Sequence, residues 1–333
     1  EFERNGAISV ANEAYQTEWL GESDDPNVIA LDAEKVRKRI NSPTFLGGDY
    51  SPHENANVHP AKLAAELARH AASIGVEIYE QTPVTRLDGA ADVPIQLTTD
   101  RGTIAAERVA LCTNVFPSLL KRYRFHTIPV YDYVLMTEPL TDEQLASIGW
   151  EGREGLSDLA NQFHYSRLTK DNRILWGGYD AVYHAGGRIK REYEDRMESH
   201  RKLASHFFTT FPQLAGVKFT HRWAGVIDSS TRFCAFFGQA HGGRVQYVAG
   251  FTGLGVGATH FAADVMVDRF EGRVTERTEL KMVKDMPLPF PPEPAAKIGV
   301  NMFRLSFDRA DHNGGKRNFF LKAMDAVGFG FDS

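Results

Sequence analysis

Four glycines in eight residues, Gly250-Phe251-Thr252-Gly253-Leu254-Gly255-Val256-Gly257, follow an apolar run, Val245 to Ala249, and precede a helix-patterned run, Thr259 to Phe270. Glycines placed between a strand and a helix let a flat ligand lie against bare backbone. The first turn of the helix then aims unpaired N–H groups and a partial positive charge at that ligand. Such a turn also serves packing alone, so by itself it leaves both uses open. The chain carries no G-x-S-x-G nucleophile turn, no phosphate-binding P-loop and no paired metal-ligand spacing. Its 12 histidines are scattered, which argues against a metal site.

The elements that position this turn belong to a chain of 333 residues, a length that suggests about two domains. A composition 42% hydrophobic and 24% charged is that of an ordinary globular protein. Its net charge of −5 gives no electrostatic case for nucleic acid or anionic lipid. The one basic cluster, Lys121-Arg122-Tyr123-Arg124, reads as a solvated loop. No apolar run approaches the ~18 residues of a membrane span, and no signal peptide is expected. Cys112 and Cys234 both sit in apolar runs. They are expected to be buried free thiols, as in a reducing compartment such as the cytoplasm.

Residues 6–11 alternate like a strand, 15–20 begin a helix, and 32–41 read as a helix stopped by Asn41-Ser42-Pro43. Pro60 stands at a first helical position, Leu63, Leu67, Ala71 and Ile74 mark one face, and Gly75 ends the helix. Val76 to Tyr79 then reads as a strand, Asp100-Arg101-Gly102 as a hairpin, and Val109 to Cys112 as a strand buried on both faces. From 126 to 240 the pattern changes to short strands at 128–136, 162–167, 174–179, 218–223 and 233–237. A long helix crosses them, with Tyr193, Met197, His200, Ala204, Phe207 and Phe211 at helical spacing. A stiff proline-rich link, 287–294, leads to a tail with a helix near Phe319 to Val327.

Taken in order, these segments resemble the D-amino-acid oxidase/glycine oxidase family of FAD-dependent amine oxidoreductases. His59-Pro60-Ala61-Lys62-Leu63 is similar to the family's P-x-x-L helix. Thr82-Pro83-Val84-Thr85-Arg86-Leu87 is similar to the strand whose valine backbone meets the adenine. Arg108-Val109-Ala110-Leu111-Cys112-Thr113-Asn114 resembles the strand beside the dinucleotide. Arg222-Trp223-Ala224-Gly225 and the glycine turn resemble the segments that border the flavin ring. The resemblance covers most of residues 1–272. It implies a mixed α/β fold in which an FAD-binding, Rossmann-like domain is interrupted by a mostly antiparallel substrate domain. The expected division is partial substrate-domain strands at 1–55, the FAD domain at 56–125 and 241–275, the substrate domain at 126–240, and a linker and helical tail at 276–333. The tail is expected to cover the FAD domain.

The same resemblance implies oxidation of an amine or amino acid by hydride transfer to the flavin, giving an imine that hydrolyses. Val84, Thr113, Asn114, Gly225, Gly250, Phe251, Thr252, Gly253, Leu254, Gly255 and Val256 are the implied cofactor contacts. The inserted sheet roofs the flavin, so its polar and aromatic side chains are the substrate candidates: Tyr131, Asp132, His164, Tyr165, Tyr179, Arg222 and Trp223. Asp132 suits an ammonium group or a strand-edge hydrogen bond, and Arg222 a carboxylate held bidentately. His164 and Tyr165 are adjacent on a strand, so one of them faces the cavity. Gly257 stands where sarcosine-oxidase-like relatives place a carboxylate-binding lysine, which points to a larger or carboxylate-free amine. The segment that carries flavin-linked cysteine in some relatives has none here, so FAD is expected to bind non-covalently.

The largest departure is at the front. Family members begin with a strand, a G-x-G-x-x-G turn, a helix and a second strand ending in an acid. This chain opens Glu1-Phe2-Glu3-Arg4, as if already inside a domain. The expectation is a fragment of a longer protein, or a separate chain that completes the fold. Two rival functions stay open: a non-catalytic or site-completing subunit of a flavoprotein complex, and a flavin dehydrogenase using an acceptor other than oxygen.

Overall fold

The computed structural model describes residues 2–53, 55–90 and 93–326. Its largest element is a nine-stranded sheet. The strands run in the order Val182–Tyr183, Ile128–Thr137, Ile174–Gly178, His164–Leu168, Gly155–Asp158, Ala7–Ala11, Gly47–Ser51 and Ile29–Asp32. The ninth, Phe219–Ser229, pairs along the whole of Ile128–Thr137. All neighbours are antiparallel except Gly155–Asp158, which runs parallel to Ala7–Ala11. The front of the chain thus adds three strands to the sheet built mainly from residues 128–229.

Side chains alternate between the two faces of each strand, and cross-strand partners share a face. Tyr131, Tyr133 and Leu135 point to one face, where the helix Met197–Thr210 covers them with Leu203 and Phe207. Tyr131, Tyr133, Leu203 and Phe207 are fully buried there. Trp176 joins them from the neighbouring strand, its ring edge-on to Phe207 at 5.8 Å. Asp132 and Val134 point to the opposite face.

A smaller three-stranded sheet holds Val109–Leu111 parallel to Val245–Ala249, which in turn pairs antiparallel with Phe236–Ala240. The helix Gly255–Phe270 packs on it through Ala262, Val265 and Met266. A hairpin sheet of Val84–Asp88, Ile95–Thr99 and Gly102–Ala106 packs on the opposite face, where Ile95 and Leu97 meet Val109, Leu111, Val245 and Tyr247.

Several expectations change. Phe236–Ala240 joins the smaller sheet rather than the larger one. Phe219–Ser229 extends well past the expected end at Trp223, because ten residues of Ile128–Thr137 offer a continuous ladder. Val76 to Tyr79 forms no strand: no partner lies beside it among the described residues, and Val76, Ile78 and Tyr79 stay exposed. The helix before it, Pro60–Ser73, buries none of its residues, and Leu67 is 60% exposed. Val109–Leu111 is covered on one face only, with Ala110 exposed between two buried neighbours. Cys112 is exposed and Cys234 only partly covered, because Cys112 follows the last paired residue of its strand.

The tail also docks elsewhere than expected. The helix Ala295–Asp311 packs at the far end of the larger sheet. The Asp311 carboxylate accepts the backbone N–H groups of Asn161 and Gln162, and Asp308 accepts the Tyr179 hydroxyl. Ala296 and Val300 of this helix pack on Ile128, Val130 and Tyr183 of the larger sheet, so the apolar surface it covers is that of the larger sheet and not of the FAD domain. A last helix spans Phe319–Ala326, and the expected end of that helix at Val327 lies outside the described residues.

Candidate cofactor and substrate site

The glycine turn reverses the chain with Gly250, Thr252 and Gly253 all at positive φ, +81°, +50° and +88°. A Cβ on Gly250 would lie 2.9 Å from that of Ser230, so glycine is required there on two counts. What holds the turn is the end of the strand Phe219–Ser229. Ser229 bridges to Phe251, the Asp228 carbonyl accepts the Thr252 N–H, and Asp228 Oδ2 accepts the Gly250 N–H at 2.6 Å. Asp228 is 2% exposed. Burial pushes its carboxyl above the ordinary value, while the N–H groups of Gly250 and Phe251 oppose that rise. The sequence reading missed Asp228; the available signal was a lone acid closing an apolar strand.

Beside the turn lies a cleft of about 640 Å3. Ala110, Cys112 and Asn114 form one wall, and Phe251, Gly253, Gly255 and Val256 the other, with Ile227 and Asp228 at its end. Leu254 precedes the helix without a side-chain cap, which leaves first-turn N–H groups for a ligand. Next to Asn114, whose φ is +48°, the Thr113 Oγ1 is buried without a partner. An orphaned hydroxyl, glycine-lined walls and an uncapped helix suit a flat anionic ligand in a cleft of ordinary ligand-site size. Of the residues nominated for cofactor contact, Asn114, Phe251, Gly253, Gly255 and Val256 line this cleft. Thr113, Gly250, Thr252 and Leu254 flank it in sequence, and Gly225 lies beyond its wall on the substrate sheet. Val84 stands apart on the hairpin sheet.

The substrate candidates divide between the two faces of the sheet. Asp132, Tyr165 and Trp223 share the face that meets the turn, where Ile227 Cδ1 sits 3.7 Å from the position of a Gly253 Cβ. Tyr165 donates its hydroxyl to Asp132 Oδ2 at 2.5 Å. Its ring crosses Gly177, where a Cβ would approach to 2.6 Å. Burial raises the Asp132 carboxyl, opposed by bonds from Tyr165 and the N–H groups of Gly178 and Tyr133. Burial also raises the Tyr165 hydroxyl, and the adjacent carboxylate raises it further.

The other four lie away from the turn. Tyr131 is buried under residues 184–193 and donates to the Lys190 carbonyl. Arg222 is held bidentately by Asp195 on the helix-covered face, so the expectation of a carboxylate clamp in the cavity is corrected by its register opposite Leu135. His164 Nδ1 lies 2.8 Å from Asp158 Oδ2, and its Nε2 lies 2.9 Å from His206 Nδ1. Tyr179 stacks on His164 and reaches Asp308 of the tail. Burial, with His164 and Lys202 adding repulsion, pushes His206 down to about 4. This cluster joins sheet, helix and tail on the side remote from the cleft. Among the described residues no three of His, Cys, Asp and Glu gather as a metal site requires.

The fold itself is a known one. The structure matches glycine oxidase from Geobacillus kaustophilus with a TM-score of 0.71, at 19% identity, over 86% of this chain and 76% of that one. It matches L-proline dehydrogenase from P. horikoshii with a TM-score of 0.70, at 15% identity, over 83% and 74%. A family model described as FAD dependent oxidoreductase matches residues 1–269, and the chain belongs to that family. Gamma-glutamylputrescine oxidoreductase of Escherichia coli K12 is 29% identical over 248 residues, 73% of this chain and 54% of its own length. A probable oxidoreductase, OrdL, of Haemophilus influenzae is 26% identical over 300 residues, 84% of this chain and 63% of its own. The chain therefore spans a little over half to three fifths of these curated relatives. No helix of the described residues is long and apolar enough to cross a membrane.

Proposed function

We propose that this chain supplies the substrate sheet and part of the FAD site of an oxidoreductase that oxidises an amine or amino acid. One observation carries this reading: a glycine-walled cleft ends at Ile227, on the sheet face that presents Asp132, Tyr165 and Trp223. FAD, when bound, supplies the acceptor for a hydride from the carbon bearing the substrate nitrogen, and the imine product is hydrolysed by water. The residues of this chain hold and orient. The glycine turn and the first turn of Gly255–Phe270 offer backbone N–H groups to the cofactor, and Thr113 and Asn114 border it. Trp223 and Ile227 wall the substrate space. A relative named for gamma-glutamylputrescine makes an extended polar amine the first class to test. FAD is held without a covalent bond in this reading, since the Arg222-Trp223 segment, where some relatives carry the flavin-linked cysteine, has none.

The cofactor site is completed by a strand–turn–helix–strand unit carrying G-x-G-x-x-G, from the same polypeptide or from a second chain. The open edge of Val109–Leu111, Ala110 in the cleft wall and the exposed face of Leu63, Leu67 and Ile74 all suit such a parallel unit. The test is to join the chain to a G-x-G-x-x-G unit from an FAD-binding relative, load FAD, remove oxygen and add amines. Bleaching of the flavin band by an amine supports the reading. A complex that retains FAD and is reduced by dithionite but by no amine or amino acid contradicts it.

A further inference from the structure

We infer that Asp132 and Tyr165 form an anchor for a protonated amine, so that the substrate arrives as a cation whose ammonium group seats over Gly225 against the Asp132 carboxylate and loses one proton to water before its carbon gives up the hydride. This rests on the reading of the cleft as the site of an amine oxidoreductase. The partners of Asp132 are all neutral: the Tyr165 hydroxyl and the N–H groups of Gly178 and Tyr133. A carboxylate has about four acceptor positions, so these three leave room for one more donor. A largely buried carboxylate matched only by neutral dipoles is costly, and an arriving cation offsets that cost.

Space lies where such a cation would need it. The residue opposite Asp132 across the ladder is Gly225, and a Cβ there would meet nothing within 4 Å. On the other side, Gly177 is bare so that the Tyr165 ring can reach over it to the acid. Trp223 precedes Gly225 by two residues on the same face and is 36% exposed, a flat wall suited to cation–π contact. Glycines on both flanking strands therefore frame the one acid of this strand, with an aromatic residue on each side. An uncharged alcohol of the same shape gains none of this charge matching.

Isothermal titration of n-butylammonium chloride into the full chain tests the anchor, with and without FAD and the completing unit. Saturable binding is expected, with n-butanol unable to compete. Asp132→Asn keeps shape but not charge, and weakens binding by about 10-fold or more, as loss of a hydrogen bond to a charged group does. Tyr165→Phe and Gly177→Ala weaken it about three- to tenfold, the second by displacing the Tyr165 ring. Equal affinity in wild type and Asp132→Asn, or no saturable binding to folded wild type, overturns the anchor. Anaerobic reduction by n-butylamine reads the parent proposal separately. A protein that binds n-butylammonium through Asp132 yet is reduced by no amine keeps the anchor and loses the oxidoreductase.

Discussion

A buried carboxylate is normally matched by a cation, but Asp228 is matched by the N–H groups of Gly250 and Phe251. Its raised proton affinity fixes the sign of its contribution. Stability from the protonated form is full below the unfolded value of about 4 and is lost as pH rises through the folded one. Asp228→Asn keeps an acceptor for Gly250 and removes the buried charge. It should be at least as stable as wild type at pH 7 in urea unfolding, without the decline above pH 4. Asp228→Ala leaves the Gly250 N–H unsatisfied and should cost about 1–3 kcal/mol. Equal losses in both variants would mean that the charge, not the acceptor, holds the turn. His206 has the opposite sign, since burial beside His164 and Lys202 lowers it to about 4. Its contribution is present above pH 6.5 and is lost as pH falls toward 4. Asp158 opposes this, and Tyr179 and His312 also face the ring or its surroundings. His206→Gln should flatten the fall in stability between pH 6.5 and 4, and an unchanged slope would contradict this assignment.

The elements held by local pattern were legible in the chain. Of the spacing that marked the helix Met197–Thr210, His200 and Phe207 are buried, while Met197 is exposed and Tyr193 lies before its start. Phe207 is fully buried among Trp176, Phe211 and Phe219. Phe207→Ala should therefore cost about 3–5 kcal/mol in chemical denaturation. A loss below 1 kcal/mol would mean that the helix is not fixed to the sheet by this ring. What was not legible is direction. Tyr131, Asp132 and Tyr133 alternate, and so do His164 and Tyr165, but both faces of this sheet carry aromatic and polar side chains. Alternation then states which residues share a face without stating which face meets the cofactor. Only the ladder with Phe219–Ser229, and its contact with the glycine turn, decides that Asp132 and Tyr165 lie on the cleft side.

At the scale of the molecule two facts were beyond local reading. The tail helix Ala295–Asp311 carries a helical apolar stripe, but its docking partners, Ile128 and Tyr183 on the larger sheet and the N–H groups of Asn161 and Gln162, lie more than a hundred residues away in sequence. Val76 to Tyr79 has strand composition but no neighbour among the described residues, so composition overruns structure there. The family's pieces were legible in order, and residues 1–269 match its model. The helix Pro60–Ser73 buries none of its residues, and Ala110 leaves one face of the edge strand Val109–Leu111 exposed. The central claim is that this face and the glycine turn together form half of a flavin site whose other half is a G-x-G-x-x-G unit. The most direct measurement is the visible spectrum of the chain after incubation with FAD and desalting, alone and joined to such a unit. The account predicts a flavin band retained in stoichiometric amount only by the joined protein, and bleached without oxygen by an amine. A folded, joined protein that emerges colourless would contradict it.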